Sequence, residues 1–102
     1  MEYNECDVPE ILENVRKNPY GIKDTYHLII RSGDRFVNLD LIYRKINSEK
    51  PVLIQKTVNA SNKFLLTYNY TKLKDLAIAI FILDEDEIMI LTVIDKFKER
   101  RV

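Results

Sequence analysis

Apolar residues recur along this chain with two different periods, and the change between them falls at Pro51. Before it the spacing is helical. Ile11, Leu12 and Val15 form one narrow apolar stripe behind Asp7-Val-Pro-Glu10, where Asp7 reads as an N-cap, Pro9 sits in the first turn and Glu10 suits the positive end of the helix. Pro19 and Gly21 stop that helix near Asn18. Leu39, Ile42, Tyr43 and Ile46 fall at i, i+3, i+4 and i+7 behind a capping Asn38, which predicts a second helix with Asp40 and Arg44 as an i, i+4 pair on its wet side. Residues 24–31 favour a strand by residue type, but they can also be read as the end of a helix. Either way His27 and Arg31 share a face.

After Pro51 the period is two. Residues 52–58 and 63–70 read as strands joined by a polar link of hairpin length. In the second strand Phe64, Leu66, Tyr68 and Tyr70 face one way, and Lys63, Leu65, Thr67 and Asn69 face the other. Residues 71–75 read as a loop. The apolar runs 76–83 and 88–94 then flank Asp84-Glu-Asp-Glu87, an acidic turn between two β-type segments. Helix, ambiguous element, helix and four successive strands predict an α+β fold, with N-terminal helices packed on one face of a mainly antiparallel four- to five-stranded sheet.

Length changes this picture only by limiting it to one domain, since 102 residues support a single core. With 46% hydrophobic and 31% charged residues the chain reads as folded rather than disordered. Its longest apolar run is far short of the ~20 residues of a spanning helix. The acidic start MEYNECDVPE lacks the basic and apolar regions of a signal peptide, so a cytoplasmic location and no membrane partner are expected. One cysteine, Cys6, and one histidine leave no disulfide and no Cys/His cluster, so neither metal nor cofactor is expected. The formal net charge of zero is unevenly spread: residues 1–24 carry six acids and three bases, and the rest carry ten acids and thirteen bases. Four of those ten acids sit in the turn at 84–87, so elsewhere positive charge is in excess and permits an anionic partner.

The run His27-x-x-x-Arg31-x-x-x-Arg35, a helix, an extended pair, and an apolar hairpin closing on Thr92-Val93 with a basic end Lys98-Glu-Arg-Arg101 resemble a small domain family similar in fold order to the RelE and BrnT type ribonuclease toxins. The resemblance covers roughly residues 25–102 and leaves 1–24 as an N-terminal helical extension. It implies a RelE-like sheet with helices on one side, a nucleic-acid-facing surface on the other, no metal, and an antitoxin partner.

Metal-independent RNA cleavage uses the neighbouring 2′-hydroxyl as nucleophile, so the protein supplies a base, an acid and cations around the phosphate. His27 is the side chain whose unperturbed pKa of about 6.5 suits either proton role. Arg31 could grip the phosphate in a fork, and Arg100 could close the site, which makes His27, Arg31 and Arg100 the candidate catalytic set. Arg35, Lys63, Lys96 and Arg101 are the candidate contacts to RNA or the ribosome. Each also has a plain structural reading: a half-buried histidine, solubilising arginines, a wet strand face and a soluble tail. The expected function is therefore an RNA-binding or RNA-cleaving toxin-like domain, or alternatively a non-enzymatic protein-interaction or homodimerisation module. The second predicts an exposed apolar patch and no cationic cleft.

Overall fold

The computed structural model describes residues 2–24, 39–58 and 60–97, of which 39 and 95–97 contribute backbone only. A 3-10 turn over Glu5–Asp7 leads into α1, Val8–Lys17, then β1, Ile22–Asp24. Helix α2 spans Leu39–Ser48, and four strands follow: β2 Leu53–Lys56, β3 Lys63–Asn69, β4 Lys74–Asp84 and β5 Glu87–Phe97. The strands form one sheet in the order β1-β5-β4-β3-β2. All neighbours are antiparallel except β1, which lies parallel to β5 with Ile22 opposite Ile88. The fold of the described residues is α+β with a mainly antiparallel sheet. None of the described helices is long and apolar enough to cross a membrane.

Side-chain period decides what each element buries. Val8, Ile11, Leu12 and Val15 of α1 and Ile42 and Ile46 of α2 meet Phe64, Leu66 and Tyr68 of β3, Leu76, Ile78, Ile80 and Ile82 of β4, and Ile88, Ile90 and Val93 of β5 in one cluster. The first helix thus belongs to the same core as the sheet. Alternation along β3 is as expected, with one departure: Thr67, on the side away from the helices, is also buried, and its hydroxyl has no hydrogen-bond partner among the described residues. In β5 the burial pattern jumps from Ile90 to Val93. The register passes from Ile80↔Ile90 to Ala79↔Thr92, so Leu91 is an extra residue in a β-bulge, and the side chains of Thr92, Val93 and Ile94 change face.

Three local expectations are corrected. Asp7 has helical backbone angles and makes no cap bond to α1; its carboxylate accepts the Asn4 N–H at 2.8 Å and closes the preceding 3-10 turn instead. Residues 71–75 are not all loop, because β4 begins at Lys74 and carries Asp75, 2% exposed, inside the sheet. The ion pair of α2 is Lys45–Glu49 at 2.9 Å rather than Asp40–Arg44. Of the ambiguous segment only Asp24 is described, at the end of β1; the rest of it and the capping Asn38 lie outside the described residues.

The α1–β1 turn is held to the β4–β5 hairpin by backbone. Gly21 donates its N–H to the Asn18 carbonyl at 3.0 Å and accepts from the Ile88 N–H at 2.8 Å, while the Asn18 amide donates to the Asp86 carbonyl at 3.2 Å. A Cβ on Gly21 would stand 2.7 Å from the Asp86 carbonyl oxygen. Helix α2 is tied to β1 by the Tyr43 hydroxyl, which donates to the Asp24 carboxylate. Burial, together with that bond, pushes the Tyr43 phenol up to about 12.

Gly21→Ala is expected to lower unfolding free energy by about 1–3 kcal/mol, since backbone rather than a flexible side chain must move; denaturant midpoints at constant m-value check it. The second expectation concerns alkaline pH. The Tyr43 phenol has a folded pKa above its ordinary 10.0, so its contribution is complete below about pH 10 and is lost as pH rises through about 12. Over that window Tyr43→Phe should lose stability less steeply than the wild type, as read from unfolding midpoints against pH.

Candidate functional site

Of the predicted catalytic and RNA-contacting residues, His27, Arg31, Arg35, Arg100 and Arg101 lie outside the described residues. Lys63 is described: it opens β3, half-buried, on the face away from the helices. Lys96 is placed by backbone alone, opposite Asp75. The described residues therefore bring no two of the predicted side chains together.

What they do assemble is a cleft of about 540 Å³ between α1 and the start of β2. Pro9, Leu12, Pro51 and Ile54 give it apolar walls, while Glu10, Glu13, Arg16 and Lys50 supply the charge. Helix α1 stands there because its period turns Leu12 inward and leaves Glu10 and Glu13 on the outer flank. Pro51 precedes a short strand at the sheet edge, a position that loses nothing by lacking an N–H.

Arg16 sets the back of the cleft. Its Nε donates to the Ile46 carbonyl at 3.0 Å, Nη2 donates to the Glu49 carbonyl at 2.7 Å, and Nη1 pairs with the Glu13 carboxylate. One guanidinium thus caps the carbonyl end of α2 from a different helix, at the end where a cation is favoured. Lys45 extends the tie to the sheet, its ammonium donating to the Asn69 carbonyl at 2.6 Å. The Tyr68 side chain is fully buried, and its hydroxyl has no hydrogen-bond partner among the described residues. Burial drives that phenol far above its ordinary value, with the Glu49 charge adding to the rise and the Arg16 charge opposing it.

The front of the cleft is a sheet edge. Among the described residues strand β2 pairs with β3 alone. Thr57 donates its N–H to the Lys63 carbonyl at 3.0 Å, so by alternation the backbone groups of Gln55 also point toward β3, and those of Ile54 and Lys56 point outward. Around this edge the side chains are unusually bare for their type: Val52 is 45% exposed, Leu53 48% and Val58 98%. Lys56 reaches back to Glu2 at 2.9 Å, a pair whose glutamate is mostly in water. The Lys56 charge and hydrogen bond hold the Glu2 carboxyl below its usual range.

Such an arrangement offers hydrogen-bond donors and acceptors in strand register beside an apolar recess. Among the described residues that line it there is no nucleophile with an adjacent base. The described carboxylates that crowd together are those of Asp84, Asp86 and Glu87, within 4.8 Å of one another at the exposed β4–β5 turn and remote in sequence from the cleft. Sequence reasoning looked for His, Arg and Lys and so passed over the edge. Its one signal was Pro51 just ahead of a short strand.

Arg16→Ala should cost about 1.5–3 kcal/mol, the range for hydrogen bonds from a charged group. Arg16→Lys should recover little of this, because an ammonium cannot span two carbonyls in a fixed fork. Hydrogen exchange at the α2 amides, alongside denaturant midpoints, checks both. No family model matches the chain, nor does any curated protein or solved structure.

Proposed function

We propose that this chain is a protein-interaction module whose docking site is the open edge of β2 together with the cleft beneath α1. The observation that carries this reading is the outward-pointing backbone of Ile54 and Lys56 along an apolar-walled cleft. Exposed strand edges recognise extended polypeptide, with main-chain bonds giving affinity and a flanking pocket taking alternate side chains. Between the two readings open from the sequence, this one draws on described side chains and backbone. The ribonuclease reading draws on His27, Arg31 and Arg100, which lie outside the described residues. The order of helices and strands, with both described helices on one face, supports the finer likeness to a RelE-like fold. In that setting an antitoxin-like chain is one class of partner for the edge.

Selection of extended peptides from a random library against the full chain tests the proposal. The expected result is enrichment of sequences with alternating apolar residues, whose binding protects the Ile54 and Lys56 amides from hydrogen exchange. Protection confined to the opposite face of the sheet would overturn it. So would cleavage of labelled RNA in excess chelator that is lost in His27→Ala and Arg31→Ala.

A further inference from the structure

Resting on that association reading, we infer that the occupant of the β2 edge is a second copy of this chain, paired antiparallel through β2 about a two-fold axis at Gln55. Backbone geometry selects this register. Ile54 and Lys56 present outward N–H and C=O groups, and an antiparallel pair exchanges both bonds only where outward residues face each other. Centring the axis on Gln55 sets Ile54 of each copy opposite Lys56 of the other and uses every outward group of the strand. Centring it on Lys56 would set like charges face to face.

Two independent observations fit the same register. The first is charge. Ile54 and Lys56 are two residues apart and share the helix side of the sheet, so Lys56 of the second copy stands beside Ile54 at the mouth of the cleft that Glu10 and Glu13 line. Each copy then offers the Glu10 carboxylate to the other's ammonium, beside a Glu13 that Arg16 already holds, and the exchange is self-complementary as a two-fold axis requires. The Lys56–Glu2 pair given up is an exposed one, of the kind worth little. The second is apolar surface. This register runs the bend at Val52, just before the strand, toward the turn at Val58 of the other copy, just after it, so the 45% and 98% exposed valines that flank β2 come near each other. A single copy leaves these side chains to water. The continuous sheet made by two copies also removes the one edge that β2 leaves open.

Light scattering and sedimentation equilibrium of the full chain test the inference. The wild type should have twice the 12.1 kDa chain mass at micromolar to millimolar concentration and dissociate on dilution. Lys56→Pro removes an outward N–H and no bond to β3, so it should give a monomer with unchanged circular dichroism. Lys56→Glu should weaken the dissociation constant about tenfold or more, and the reversal Glu10→Lys in the same chain, which leaves the Arg16–Glu13 pair in place, should restore it. This charge swap keeps the test open if the proline variant fails to fold. A wild type that stays monomeric at millimolar concentration overturns the inference; if library peptides still protect the edge, the association reading stands without it. A dimer indifferent to both Lys56 substitutions also overturns it, by placing the contact on another surface.

Discussion

The guanidinium of Arg16 is the contact on which the arrangement of the helices depends. It leaves the last turn of α1 and binds two carbonyls at the end of α2, so a group that would otherwise need water is satisfied by a residue thirty positions away in the chain. Apolar contact between the helices is non-directional and would tolerate many crossing angles. A planar fork reaching two fixed acceptors tolerates few. Since α1 forms one wall of the cleft and the α2–β2 connection forms the other, the same contact sets the width of the recess beside β2.

Much of the fold was legible because each stretch of sequence obeys one period. Ile11, Leu12 and Val15, the Leu39 to Ile46 pattern and the Phe64-Leu66-Tyr68 alternation are local statements, and each is true of its element. What escaped was non-local. Strand β1 is three residues long and is a strand because β5 lies beside it, a partner sixty-six positions later at Ile22↔Ile88. The bulge at Leu91 cannot be read from a run of apolar residues in which every position suits either face. Asp75 looked like loop chemistry, yet it sits in the sheet because β4 pairs with β3 up to it, at Asn69↔Asp75, and with β5 one residue beyond it, at Lys74↔Phe97.

The site was less legible than the fold for a related reason. Residue types advertise proton transfer and phosphate binding, and His27, Arg31 and Arg100 drew attention on that ground. An unpaired strand edge is made of peptide groups that every residue carries, so no residue type announces it. Only the strand order shows that β2 has one neighbour among the described residues. Val52, Leu53 and Val58 were visible as β formers, but their exposure follows from that order and not from their identity.

The parallel pairing of β1 with β5 also bears on how the molecule is made. An antiparallel hairpin such as β4–β5 can close as soon as its turn has formed, whereas β1 must wait for the strand furthest from it in sequence. At roughly 5–20 residues per second of synthesis, the first helix and strand spend several seconds with their apolar stripe uncovered. During that interval Ile11, Leu12 and Val15 are available to whatever lies near the ribosome exit. A segment made well before its partner strand is therefore among the last to be secured, and until then its protection falls to the cell rather than to the fold.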